Sequence, residues 1–86
     1  MRIIYIIANN FSPYTNKIYN TFADARDALH VDNFFRYIWP DCRIYETTQE
    51  LIDKYWDEIR RDSDLYCEDE DARMELFNRS FTVVRR

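Results

Sequence analysis

The chain has 86 residues, is 47% hydrophobic and 17% aromatic, and carries a formal net charge of −4. That length holds one small domain, residues 1–86, and excludes a two-domain enzyme; the apolar content excludes an intrinsically disordered chain. No apolar run approaches the ~18 residues of a membrane-spanning helix, and the acidic balance argues against general nucleic-acid binding, whose footprint is basic.

Glycine is absent, where about six would be ordinary at a frequency of ~7%. There is accordingly no Walker loop, no dinucleotide-binding glycine fingerprint and no Gly-x-Ser-x-Gly nucleophile elbow. Turns that need positive φ fall to Asn and Asp, with Asn9, Asn10, Asn16, Asn20 and Asn78 placed to make them.

Met1 to Ala8 reads as a strand. Ile3, Ile4, Tyr5, Ile6 and Ile7 form a continuous β-favouring run, as in a central strand covered on both faces. The stretch Asn9-Asn10-Phe11-Ser12-Pro13 ends it, and Asn16 to Phe22 reads as a short second strand hairpinned to the first. Ala23 to Trp39 reads as one helix with Ala25, Ala28, Val31, Phe35, Ile38 and Trp39 on a shared stripe, stopped by Pro40. Cys42 to Glu46 alternates like an exposed or edge strand.

Thr47 and Glu50 have the spacing of a capping box. They open a helix from Thr48 to Arg61 with Leu51, Ile52, Tyr55, Trp56 and Ile59 as its buried stripe. Glu50–Lys54 and Asp57–Arg61 are i,i+4 pairs in the favourable order. Leu65, Tyr66, Ala72, Leu76 and Phe77 fit a third helical face, interrupted by Glu68-Asp69-Glu70-Asp71, and the acidic run is the alternative start of the helix. Phe81 to Val84 are strand formers. The order β, β, α, β, α, α, β predicts an α+β fold: a mixed or antiparallel sheet of three to four strands covered by two to three helices.

The chemistry is concentrated in the second half. Residues 1–46 balance five acids against five bases, so all the net charge lies beyond them. Between Asp62 and Glu75 seven acids (Asp62, Asp64, Glu68, Asp69, Glu70, Asp71 and Glu75) face one base, Arg73. Such a run serves solubility as a solvated helix face, or it docks on a basic partner. In the second role clustered carboxylates raise the encounter rate with a positive cleft and occupy places meant for phosphates. A divalent-metal site is the third reading, without the glycine-turned loop of an EF-hand.

His30, the single histidine, falls on the polar side of the first helix, with no Ser or Cys in a nucleophile context. Cys42, Cys67 and His30 lack paired zinc-finger spacing, and the two cysteines read as reduced thiols. No metal, no cofactor and no enzymatic activity are expected. Tyr14, Tyr19 and Tyr37 have no clear place in the core and suit an interface; Tyr14 and Tyr66 would add apolar contact to the acidic surface. Lys17, Arg26, Arg36 and Arg43 would have to assemble a basic-aromatic face if the chain bound nucleic acid or a nucleotide. The terminal Arg85-Arg86 pair reads as a solvated chain end that could help bind phosphate. The first residues show no secretory signal, so two Asn-x-Ser sequons, at Asn10 and Asn78, read as accidental and the expected location is cytoplasmic.

In style the chain resembles the small acidic accessory proteins of bacteriophages. The resemblance rests on small size, no glycine, and abundant Asp, Asn, Ile and Tyr around Glu68-Asp69-Glu70-Asp71. It implies host takeover or anti-defence: a compact inhibitor that binds and blocks a basic, nucleic-acid-handling host protein, in some cases by imitating the charge of DNA. Unlike a full-length DNA mimic, this chain has a charge-balanced first half. The expected function is therefore a non-enzymatic protein-binding module with a local acidic docking surface. The alternatives are a small nucleic-acid or nucleotide-binding regulator and a homo-oligomeric structural protein, a homodimer being the simplest case.

Overall fold

The computed structural model describes residues 2–9, 12–32, 34–38, 41–63 and 68–85, and for residues 15, 16, 34 and 36 the backbone alone. Four strands, β1 (Ile4–Asn9), β2 (Ser12–Tyr19), β3 (Arg43–Thr47) and β4 (Thr82–Val83), form an antiparallel sheet in the order β2-β1-β3-β4 among the described residues. Among the described residues there are also three α-helices, α1 (Phe22–Val31), α2 (Gln49–Arg61) and α3 (Glu70–Ser80), and one π-helical turn (Phe34–Ile38). The fold is α+β.

The apolar run of β1 does what such a run must: it is buried on both faces. Ile4, Ile6 and Ala8 pack with Ile52 and Tyr55 of α2, Leu76 and Phe77 of α3, and Phe81. Ile7 points the other way, into a second cluster with Ala25 of α1, Phe35 and Ile44. The sheet is thus a partition between two cores, α2 and α3 on one face and α1 with the π-turn on the other. The first core is aromatic. Phe77 lies 5.0 Å from Tyr45 and 4.8 Å from Phe81 between ring centroids, and Tyr55 meets Phe81 edge-on at 5.1 Å.

Several expectations are corrected. The first strand ends at Asn9, within the stretch expected to end it, but Ser12 and Pro13 of that stretch sit inside β2, Pro13 paired with Ala8. Because β2 is an edge strand, the missing proline N–H removes no ladder bond the sheet requires. The second strand accordingly starts earlier than Asn16 and ends at Tyr19, and Phe22 belongs to α1, capped by Thr21 Oγ1 accepting from the Asp24 N–H at 3.1 Å. The single helix expected to reach Trp39 stops at Val31. Its cap Asp32 takes an extended conformation (φ −73°, ψ 119°), and the π-turn that follows loses the phase of the stripe. Val31 and Ile38 are therefore exposed, at 76% and 71%, while Ala25 and Phe35 are buried. Trp39 and Pro40 lie outside the described residues.

β3 is an interior strand and not an edge, because Tyr45 and Glu46 pair with Val83 and Thr82. The helix cap falls one residue late. Thr48 Oγ1 accepts from the Leu51 N–H at 3.2 Å, while Thr47 Oγ1 donates to the Ser80 carbonyl at 2.8 Å and ties the end of β3 to the end of α3. The positive φ among the described residues is at Asp41 (62°), not at an asparagine; Asn10 lies outside the description. The stripe of α2 is as expected, and Arg61 pairs with Asp57 at 2.8 Å.

Tyr55 carries a testable consequence of the first core. Burial pushes its phenol up to about 12, with the charge of Arg73 pulling weakly the other way. Below pH ~10 the phenol is neutral in both folded and unfolded chains. Between about 10 and 12 the unfolded chain releases the proton and the folded one keeps it, so stability falls as pH rises. Tyr55→Phe should flatten that alkaline loss in thermal melts; an equal loss in both proteins would contradict it.

Candidate functional site

The central part of the acidic run, Glu68 to Asp71, lies at the entrance to α3. Asp62 caps the C-terminus of α2, its N–H bonding the Glu58 carbonyl at 3.1 Å. Asp69 is the N-cap of α3, its Oδ1 accepting from the Ala72 N–H at 3.1 Å, and Glu70 and Asp71 form the first turn. Glu68, Asp69, Glu70 and Asp71 line one shallow open concavity. Asp71 and Glu75 are four residues apart on α3, so their side chains share a face. All of these, and Asp62, are exposed. Asp64 and Tyr66, expected at the same site, lie outside the described residues.

What neutralises this charge is as informative as its position. Arg73, the single base of the run, is half-buried, and its charge is felt at the Tyr55 phenol between α2 and α3. Its Nε is buried and has no hydrogen-bond partner among the described residues. Arg61, at the end of α2, is held by Asp57. The ion pairs among the described residues are Arg61–Asp57 and Lys17–Asp32 at 3.3 Å, and neither involves the run.

Part of the run also has a local structural task. A helix N-terminus carries partial positive charge and four unsatisfied N–H groups, so Asp69, Glu70 and Asp71 stabilise α3 where they stand. Asp69→Ala should cost about 1 kcal/mol and lower the melting temperature by about 4–8 °C. An unchanged melting curve would contradict the cap. For the same reason, reversing Asp69, Glu70 and Asp71 together would damage the helix start as well as the surface. Glu68 precedes the cap and Glu75 sits mid-helix, so both are free of that complication.

Tyr14 does not join this surface. It pairs with Ile7 across β1–β2, packs edge-on against Phe35 at 5.6 Å, and belongs to the core on the opposite face of the sheet. Tyr19 is packed there too, whereas Tyr37 is exposed.

The basic residues distribute unevenly. Lys17 is bound to Asp32, which raises its pKa through the hydrogen bond and the charge of that carboxylate. The Arg36 side chain lies outside the description. Arg26 and Arg43, however, border one cleft of about 400 Å³ together with His30 and Arg85. Sequence reasoning treated Arg85 as part of a solvated end and His30 as a surface residue. The pairing of β3 with β4, which carries Arg85 to Arg43, had no local signature. Cys42, half-buried beside the cleft, has its thiol pushed up by burial; an Asn9 hydrogen bond opposes this and the Asp41 charge adds to it. Cys67 lies outside the described residues.

Among the described residues, no group of three or more His, Cys, Asp or Glu is placed to hold a metal ion, and no helix is long and apolar enough to cross a membrane. No family model matches the chain, and no curated protein or solved structure does either.

Proposed function

We propose that this protein is a non-enzymatic binding module whose acidic α3 entrance docks on a basic, nucleic-acid-handling host protein, as a phage-type inhibitor with a host-takeover or anti-defence role in the host cytoplasm. One observation carries the reading. Glu68, Glu70, Asp71 and Glu75 are exposed and outside any ion pair among the described residues, while the segment's own arginine, Arg73, is half-buried with its Nε out of solvent. Glu68 and Glu75, outside the first turn of α3, keep their attraction for a cationic surface, while Glu70 and Asp71 share theirs with the helix N-terminus. That attraction speeds encounter and fixes orientation. Close spacing lets them stand where a nucleic-acid backbone would otherwise place its phosphates.

The experiment is a comparative capture from bacterial lysate. Tagged wild-type chain is run beside Glu68→Lys/Glu75→Lys, with circular dichroism showing that both are folded. The expected result is a basic protein retained by the wild type, released by salt or added DNA, and missing from the variant. Equal retention by both proteins, or retention indifferent to salt and DNA, would overturn the reading.

A further inference from the structure

α1 packs on β1, β2 and β3, and beside it the strip of the same sheet face along β3 and β4 stays open as a cleft of about 400 Å³. Strand alternation decides which side chains look into it. Cys42, Ile44 and Val84 face α1 and belong to the second core. Arg43 and Arg85 are one residue out of step, so their side chains are directed to the other face and take no part in the site. The opposite wall is α1. Phe22, Arg26, Leu29 and His30 follow the i, i+4, i+7, i+8 spacing of one helical face. Phe22 and Leu29 pack into the core, which leaves the exposed Arg26 and His30 at the rim. The Arg26 guanidinium lies over the Phe22 ring at 6.0 Å, a contact that holds it at the mouth without neutralising it. Neither Arg26 nor His30 is in an ion pair among the described residues. Glu46, the next β3 residue on this face, and Asp24 and Asp27 of α1 stand outside the lining, and no carboxylate is part of it.

The cleft therefore has an apolar floor and one fixed positive charge at its mouth. Its volume falls in the ~300–1,000 Å³ range of organic-ligand sites, which are mostly apolar with a few placed polar groups. The floor of Phe22, Leu29, Cys42, Ile44 and Val84 takes an apolar body. The guanidinium selects an anion, and its planar fork matches a carboxylate with two parallel N–H donors. His30, one turn further along α1, offers another N–H in either neutral tautomer. With a single guanidinium at the mouth, the complementary ligand is singly charged. We propose that this cleft binds a small apolar carboxylate, with the carboxylate held by Arg26 and the ring or chain laid against Leu29, Ile44 and Val84. The site is on the opposite face of the sheet from α3 and stands independently of the acidic surface.

The test is a titration of the isotopically labelled full chain with phenylpropionate, phenylpropanol and acetate, followed by chemical shifts. Saturable shifts are expected with phenylpropionate at Arg26, His30, Cys42 and Val84. Nuclear Overhauser contacts should run from its ring to the methyl groups of Leu29, Ile44 and Val84. Phenylpropanol keeps the body without the charge, and acetate keeps the charge without the body. Each should bind at least about tenfold more weakly than phenylpropionate. Arg26→Gln changes an exposed residue, so the fold is kept; it should weaken phenylpropionate by at least about tenfold and leave phenylpropanol unaffected. The proposal is overturned by no saturable shift at millimolar phenylpropionate, or by ring contacts to other methyl groups. It is equally overturned if phenylpropanol binds as tightly as the acid, or if Arg26→Gln binds the acid as the wild type does.

Discussion

Phe77→Ala is expected to destabilise the protein by about 3–5 kcal/mol, read as a shifted denaturant midpoint with an unchanged slope. Phe77 is fully buried and stands at the centre of the first core, in contact with Tyr45 from β3, Tyr55 from α2 and Phe81. Removing its ring leaves a cavity that the sheet on one side and α2 on the other cannot both close. A small domain has only about 5–15 kcal/mol of stability in total, so this one substitution takes a large share of it. Ile38→Ala is the internal control: its side chain is exposed, and its midpoint should barely move. A loss below about 1 kcal/mol for Phe77→Ala would mean the two-core arrangement is wrong.

The second large effect is on binding. Glu68→Lys/Glu75→Lys should weaken the captured complex by at least about tenfold at low salt, because two attractive contacts become two repulsive ones. Exposed pairs contribute only about 0.2–1 kcal/mol each, so simple removal to glutamine should cost much less than reversal. That ordering, wild type then glutamine then lysine, separates electrostatic docking from an apolar contact that happens to lie nearby. Stability should be almost untouched, since Glu68 precedes the α3 cap and Glu75 lies in the middle of the helix. Asp69→Ala behaves differently: it removes a hydrogen-bonded cap and shows in the melting curve.

The elements whose signal is local were legible in the sequence. The β-favouring run made β1 central, and the structure splits Ile4, Ile6 and Ile7 between two cores because Ile6 and Ile7 face opposite ways, while Ile3 lies before the strand and is exposed. The apolar period of α2 located Ile52 and Tyr55 in the core. What failed was tertiary. β3 looked like an edge because its outer partner is a two-residue strand thirty-six residues downstream of Glu46, and pairing at that distance leaves no local mark. The first helix was drawn too long because Val31 and Ile38 continue an apolar period after Asp32 has already ended the helix. Pro13 fits inside a strand because its missing donor matters only where a second strand waits for it, and among the described residues β2 has none on that side.

The acidic entrance was visible as composition. That Arg73 is half-buried with its Nε out of solvent, and forms no ion pair with the run among the described residues, depends on how α3 packs in the fold.

The most direct measurement of the central claim is the salt dependence of the captured complex, wild type beside Glu68→Lys/Glu75→Lys. At physiological ionic strength charges are screened beyond about 8 Å, so an interface steered by exposed carboxylates must weaken steeply as salt is added. The expected result is a steep fall in the wild-type association constant and a weak, nearly flat line for the variant. Two superimposed curves would contradict it and leave the acidic entrance with no task beyond capping α3 and keeping the protein in solution.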